Sequence, residues 1–175
     1  MKKILLFQIA LLLIISNAIS QNPSAKEKAE ALARDEFSKA KYKKKEKFGV
    51  VKETKRVIES TPVVKENASF YNGVYVYQDL NYKIEIRADK QAKPIATLSI
   101  ANRPDILLKE VSITDALFHA VKQNADGTKE LWDGVFINRN DDGNTEFGLG
   151  IKLANPVQLT EGLTVTRIFL KKVSP

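Results

Sequence analysis

The chain of 175 residues contains no cysteine and only one histidine, one tryptophan and one methionine. Without cysteine there are no disulfides, thiol nucleophiles or thiolate metal sites, and a single histidine excludes a zinc site built on paired histidines. The fold must therefore be held by its apolar core, which a chain of this length can supply. After residue 20 no apolar run reaches the roughly 20 residues of a membrane-spanning helix. We expect neither a cofactor nor a metal site.

The first 20 residues have the pattern of a secretory signal peptide. Two lysines follow Met1, residues 4–15 are almost wholly apolar, and Ala18 and Ser20 occupy the small-residue positions of a cleavage site before Gln21. The apolar run of about a dozen residues is too short to span a membrane. We therefore expect an exported protein, periplasmic or extracellular, that is cleaved between Ser20 and Gln21 and has no transmembrane span in its mature form.

Residues 21–48 contain a predicted basic amphipathic helix. Ser24 and Glu27 have the spacing of a capping box, and a narrow apolar stripe follows at helical spacing. The stripe comprises Ala25, Ala29, Leu32, Ala33, Phe37 and Ala40. The pattern predicts a helix over residues 24–48, whose last turns carry six lysines: Lys39, Lys41, Lys43, Lys44, Lys45 and Lys47.

The lysine run has two interpretations. Lysines complement the negative end of a helix dipole, and a charge run is usually a solvated surface, so a purely structural role is favoured. The alternative is a docking patch for an anionic surface such as anionic lipid, lipopolysaccharide or an acidic glycan. Nucleic acid is not an expected partner, because only Tyr42 interleaves with the lysines to stack on bases.

From residue 49 onward the apolar period changes from 3.6 to 2, which predicts one antiparallel β domain over residues 49–175. In Tyr82–Arg87 apolar and charged residues alternate, a pattern typical of a sheet with one solvated face. About eight or nine short strands, spaced roughly ten residues apart, favour a β-barrel or a β-sandwich. The other predicted strands are residues 48–58, 70–77, 95–101, 106–113 and 163–172, with three more in a meander over residues 116–153.

The layout resembles that of small calycin or lipocalin-type barrels. It has a first strand with glycine and aromatic character, then a long meander, and then a final strand that is apolar before it becomes basic. The chain carries no lipocalin signature motif, and we assign no family from the layout. The expected fold is mainly β: a single antiparallel β-barrel or β-sandwich with this calycin-like layout, preceded by one N-terminal amphipathic helix.

The register of the meander follows from its two Asp-Gly turn signals. If the first turn has two residues, His119 pairs with Gly134 and Val121 pairs with Trp132. If the second loop is centred on residues 141–142, Trp132 lies near Ile151. On this register one apolar face contains His119 together with Leu117, Val121, Trp132, Phe136, Phe147, Leu149 and Ile151.

Three expectations depend on that register. Trp132 should be buried, because it lies on the denser apolar face. His119 should be a core residue, with Asp133 and Glu146 on the opposite face, so that neither carboxylate forms an acid–base pair with it. Gly148 and Gly150 should leave room on the opposite face, either for a ligand or for the N-terminal helix.

Two further groups are candidate sites. Tyr71, Tyr75 and Tyr77 share one face of a predicted strand, where tyrosines suit either a packed core or the mouth of a ligand pocket. With His119, Trp132 and Asp133 they form our candidate ligand-binding set. Residues 138–149 resemble a calcium loop at its first positions, but Leu149 replaces the bidentate glutamate, and a polar hairpin turn is favoured.

The sequence favours a small exported binding or interaction module over an enzyme. Its ligand would be a small apolar or sugar-like molecule or a component of the cell envelope. One alternative is a small periplasmic enzyme that uses carboxylates or His119. Another is a structural cell-envelope protein that docks to anionic surfaces through its lysine-rich helix. An open apolar lumen near the tyrosines would favour the first, a cleft with converging carboxylates the second, and a solid core with an exposed basic helix the third.

Overall fold

The computed structural model describes residues 23–47, 50–88, 93–158 and 164–174. Within these residues the chain forms one 11-stranded sheet, which makes a nearly closed antiparallel β-barrel of nine strands and is preceded by one short helix. The expected mainly β fold is confirmed, and the architecture is a barrel. The predicted signal peptide, residues 1–20, lies outside the described residues. No helix in the described part of the chain has the length and apolarity needed to cross a membrane.

The helix α1, Ala25–Leu32, begins at the predicted capping box. The Glu27 amide donates to Ser24 Oγ, and the Ser24 amide donates to a Glu27 carboxylate oxygen. A π-helical turn, Ala33–Phe37, continues it. The apolar stripe is thus confirmed as far as Phe37, whereas the prediction that the helix runs to residue 48 is wrong.

The helix ends because Ser38 is extended and tied to a strand. Ser38 Oγ donates to the Ala33 carbonyl and accepts from the Ser60 amide, while Ser60 Oγ donates to the Phe37 carbonyl. The lysine-rich segment is strand β1, Lys39–Lys47, paired antiparallel with β2, Val50–Pro62. Lysine has no strong preference against a strand when a partner is available, and pairing with β2 decides the conformation of this segment.

The last residues of β2 pair with β9, and this pairing joins β2 to the wall of the barrel. β9 also pairs with β8 and β10, and β11 pairs with β3, so that the sheet curves back on itself. At the seam β5 pairs with β6 at only two positions, and the Leu108 amide donates to the Ala96 carbonyl. The strands are β3 Gly73–Tyr77, β4 Tyr82–Arg87, β5 Ile95–Ile100, β6 Ile106–Leu107, β7 Lys109–Thr114, β8 Leu117–Gln123, β9 Lys129–Asp141, β10 Asn144–Gln158 and β11 Thr164–Ser174.

The predicted register between β8 and β9 is wrong by one residue. His119 pairs with Asp133, not Gly134, because the turn is longer than two residues: the Asn124 amide donates to the Thr128 carbonyl, and Gly127 has φ +84°. A one-residue shift exchanges the two faces of a strand. His119 therefore lies on the outer wall, and its predicted position in the core is wrong.

The pairing of the second hairpin, β9 with β10, also differs from the predicted register, but the same side chains still lie on the same face of each strand. Trp132 pairs with Leu153 and Phe136 with Leu149, a shift of two residues from the predicted pairs. The turn is a polar hairpin in which the Gly143 amide donates to Asn140 Oδ1. Trp132 is 2% exposed, so its predicted burial is confirmed.

The side chains that face the interior form one packed cluster. Members from several strands have no exposed surface: Tyr75, Ile84, Ala96, Leu98, Ala120, Phe136, Leu149 and Leu170. Outside the wall, the Phe37 ring lies directly over Gly150, where an added Cβ would come within 2.7 Å of it. The room left by Gly150 is therefore filled by the N-terminal helical segment, one of the two uses expected for it.

Candidate functional site

An aromatic cluster fills one end of the barrel. The short segment between β2 and β3, including a 3-10 helix at Ala68–Tyr71, covers this end. The Tyr71 ring stacks on Phe136 with centroids 4.2 Å apart, and Phe70 contacts Tyr71 edge-on at 5.4 Å. Phe147 lies 5.6 Å from Phe70 and 6.4 Å from Tyr75. The cluster therefore extends from the buried core to the exposed ring of Phe70, which is 43% exposed.

The two tyrosine hydroxyls of this cluster make structural hydrogen bonds. Tyr71 Oη donates to the Val63 carbonyl at 2.7 Å and accepts from the Lys65 amide. Tyr75 Oη donates to the Tyr71 carbonyl at 2.7 Å. Burial raises the pKa of both tyrosines, so both remain neutral donors. These bonds pin the covering segment over the end of the barrel.

Lys172 enters this cluster from β11. Its Nζ lies 5.6 Å from the ring centroid of Phe147 and 5.9 Å from those of Phe70 and Tyr75. It donates to the Phe70 carbonyl at 3.4 Å, and no carboxylate among the described residues pairs with it. Burial lowers the pKa of Lys172. We call Phe70, Tyr75, Phe147 and Lys172 the aromatic mouth.

An open groove of about 710 Å³ adjoins the aromatic mouth. It runs along the neighbouring ends of β10 and β11, past Phe147 and Lys172. Its second lysine, Lys171, is paired with Glu146 at 2.6 Å. A further cation, Lys65, lies 5.2 Å from the Phe70 centroid on the covering segment. The mouth thus combines exposed aromatic surface with one partly desolvated ammonium group that has no carboxylate partner in the described part of the chain.

The predicted ligand-binding residues fall into four places. Tyr75 belongs to the aromatic mouth and Tyr71 lies beside it, stacked on Phe136, whereas Tyr77 lines a groove beside Arg139. Trp132 lies inside the barrel, 6.1 Å from the Tyr82 ring. His119 and Asp133 lie together on the outer wall. An apolar lumen that opens near the tyrosines would have favoured a ligand inside the barrel. Because the interior is packed, no such lumen is found among the described residues.

His119 and Asp133 form a pair that our register had excluded. His119 Nδ1 and Asp133 Oδ1 are 2.6 Å apart, and the side chains are 40% and 55% exposed. The expectation that Asp133 lies on the opposite face from His119 is therefore wrong, for the turn-length reason given above. Glu146 is outside this pair and binds Lys171.

The predicted anionic-surface lysines belong to strand β1. Lys39 is exposed. The side chains of Lys41, Lys43, Lys44, Lys45 and Lys47 lie outside the part of the chain whose side chains are described, and their role stays a prediction.

Sequence reasoning missed Lys172, Phe70 and Phe147 as a group. The available signal was the alternation of β11, in which Ile168, Leu170 and Lys172 occupy successive positions of one face. A lysine that follows apolar residues on the same face of a strand indicates a positive charge at the edge of the apolar core. Its aromatic neighbours come from distant segments and could not be assigned from spacing.

No protein-family model matches the chain, and comparisons with curated proteins and with solved structures give no significant match.

Proposed function

We propose that this protein is an exported binding protein whose aromatic mouth holds a small amphipathic anion. The ligand class is an apolar chain or ring that ends in a carboxylate or phosphate. The observation that carries the proposal is Lys172: its ammonium group is partly buried among three aromatic rings, beside an open groove, without a carboxylate partner among the described residues.

The charge of Lys172 favours an anion. Desolvation disfavours a charged ammonium group, and contacts with aromatic faces compensate for only part of that cost. An anionic group in the groove would give Lys172 a partner of opposite charge, which the described residues do not supply. A hydrogen bond to a charged group contributes about 1.5–3 kcal/mol.

The surroundings of Lys172 favour an apolar body on the ligand. Phe70 exposes 43% of its surface, and Phe147 lines the groove beside it. Burying aromatic surface contributes roughly 25 cal/mol per Å². Because the barrel interior is packed, the ligand would lie across the mouth and along the groove rather than inside the barrel.

The test is calorimetric titration of the purified protein with octanoate and with its uncharged analogue octanol. We expect octanoate to bind more tightly than octanol, and the Lys172→Met variant to bind octanoate about 10- to 100-fold more weakly, the equivalent of one charge-assisted hydrogen bond. Lys172→Arg should retain most of the affinity.

Lys171→Met is the matched control, because Lys171 borders the same groove but is already neutralised by Glu146. It should change octanoate affinity by less than about threefold. Equal binding of octanoate and octanol, or octanoate binding that Lys172→Met leaves unchanged, would show that Lys172 only covers an apolar surface.

Export is the second part of the proposal, and the pattern of residues 1–20 supports it. N-terminal sequencing of protein recovered from the native host should begin at Gln21. Recovery of intact Met1 would contradict it.

A further inference from the structure

A second cluster of chemically reactive side chains lies on the outer wall of the barrel, across three adjacent strands. Ser112 of β7 pairs with His119 of β8, and His119 pairs with Asp133 of β9. His119 Nδ1 contacts Asp133 Oδ1 at 2.6 Å, which orients the imidazole and leaves Nε2 as the nitrogen available to another group.

Ser112 is the neighbour of His119 on the other side. Residues directly opposite each other in an antiparallel pair have Cα atoms about 4.5–5.5 Å apart. Ser112 is exposed, and among the described contacts it makes no hydrogen bond to His119. Rotation of its side chain about the Cα–Cβ bond would bring the two together, and catalytic hydrogen bonds are often long until substrate binds.

A β-bulge immediately precedes Ser112. Lys109 pairs with Val121 and Ser112 with His119, so β7 has one residue more than β8 over this interval. Glu110, within the bulge, has φ +54°. A bulge leaves a backbone group outside the ladder, and strained backbone of this kind is concentrated at functional sites.

The bulge opens onto a groove of about 760 Å³ at the seam between β5 and β7. Ser112 borders this groove, and Ile95 and Leu107 line it with 55% and 62% of their surfaces exposed. An apolar chain placed there would cover surface that is otherwise in water.

We propose that Ser112, His119 and Asp133 form an ester-hydrolysing site whose substrate is a carboxylic ester with an apolar acyl chain lying in the seam groove. Ser112 is the nucleophile, His119 the general base and acid, and Asp133 a positioning residue. A backbone amide of the bulge is the candidate donor to the developing oxyanion.

The reaction balances with water as the second substrate. Ser112 Oγ forms a bond to the ester carbonyl carbon as His119 Nε2 takes its proton; the carbon–oxygen bond to the alcohol breaks, and His119 returns the proton to the departing alcohol. Water then attacks the acyl-serine, giving up a proton to His119, and the carboxylic acid leaves as Ser112 Oγ regains that proton.

The experiment measures hydrolysis of p-nitrophenyl butyrate by the full chain, together with mass spectrometry after exposure to an alkyl fluorophosphonate. We expect hydrolysis above buffer, one covalent adduct, and that adduct on Ser112. Ser112→Ala and His119→Gln should reduce hydrolysis to the protein-free level.

Asp133→Asn should also lower the rate of hydrolysis, and slower labelling by the fluorophosphonate in a variant with a folded circular dichroism spectrum separates a positioning role from general destabilisation. Thr114→Ala is the matched control, because it removes an exposed hydroxyl two residues further along the same strand. All four positions are on the outer wall, so circular dichroism should show a folded barrel in each variant. A folded wild-type protein with no hydrolysis and no adduct on Ser112, or hydrolysis that survives Ser112→Ala, would overturn the proposal without affecting the aromatic mouth.

Discussion

The contact between Phe37 and Gly150 gives the sharpest prediction about how the N-terminal helical segment is held. In Gly150→Ala the new Cβ would lie 2.7–2.9 Å from three atoms of the Phe37 ring, closer than side-chain contacts normally allow. Overpacking of this kind costs about 1–3 kcal/mol. The alanine restricts the unfolded chain and returns about 0.4–1 kcal/mol. We expect a net loss of about 1–2 kcal/mol in the free energy of unfolding.

A double-mutant cycle with Phe37→Ala assigns that loss to the contact. Phe37 is buried, so Phe37→Ala alone should cost roughly 3–5 kcal/mol. In the double variant the methyl group introduced by Gly150→Ala has room, and the total should fall short of the sum by about 1–2 kcal/mol. The assay is urea denaturation at constant protein concentration, with the midpoint and slope fitted for each variant.

Gly148→Ala is the control for this cycle. The three atoms nearest to a Cβ at Gly148 are the Leu170 carbonyl oxygen and two atoms of the Phe169 ring, whereas the three nearest to a Cβ at Gly150 all belong to Phe37. The coupling between Gly148→Ala and Phe37→Ala should therefore be smaller than that between Gly150→Ala and Phe37→Ala. If Gly150→Ala and Phe37→Ala are additive, the helical segment does not dock on Gly150.

Three other predictions test separate parts of the structure. Trp132→Ala should lower the free energy of unfolding by roughly 3–5 kcal/mol in denaturant melts, and a loss below about 1 kcal/mol would be incompatible with the burial of Trp132. Trp132→Phe should cost much less, because Trp132 Nε1 has no hydrogen-bond partner among the described residues. Burial opposes the charge of Glu36, but hydrogen bonds from Arg167 and Lys152 outweigh that effect and lower the pKa of Glu36 below 4.5. The ionised Glu36 therefore stabilises the fold above pH 4.5, and this stabilisation is lost as the pH falls further. In urea melts below pH 4.5 the difference in unfolding free energy between wild type and Glu36→Gln should shrink, and a constant difference would contradict the ion pairs. The wild type should bind anionic liposomes only weakly, and changing Lys43, Lys44 and Lys45 together to Gln should leave that binding unchanged. At about 1 kcal/mol per lysine, a docking patch would instead bind tightly at low salt and lose about 100-fold or more in affinity with the triple change. That result would establish the docking interpretation of this segment.

The elements that were predictable from the sequence are those with strong local signals. Tyr82–Arg87 is a strand with the predicted bounds, and the capping box at Ser24 starts the helix as expected. Both depend on residues a few positions apart. The inward position of Trp132 was also predictable, since the apolar alternation of β9 defines its own faces.

The elements that were not predictable depend on pairing partners or on turn geometry. The lysine run fits a helix end as well as a strand, and pairing with β2 decides between them. The position of His119 depended on whether the first turn of the meander has two residues or more, and an Asp-Gly signal occurs in both kinds of turn. The same error concealed the His119–Asp133 pair, and with it the alignment with Ser112.

The central claim is that Lys172 and its aromatic neighbours bind an amphipathic anion, and a crystal structure of the protein grown with millimolar octanoate tests it most directly. We expect the carboxylate within about 3.2 Å of Lys172 Nζ, as in a charge-assisted hydrogen bond, with the alkyl chain over Phe70 and Phe147. Octanoate bound elsewhere on the protein, or an aromatic mouth that contains only water at that concentration, would contradict it.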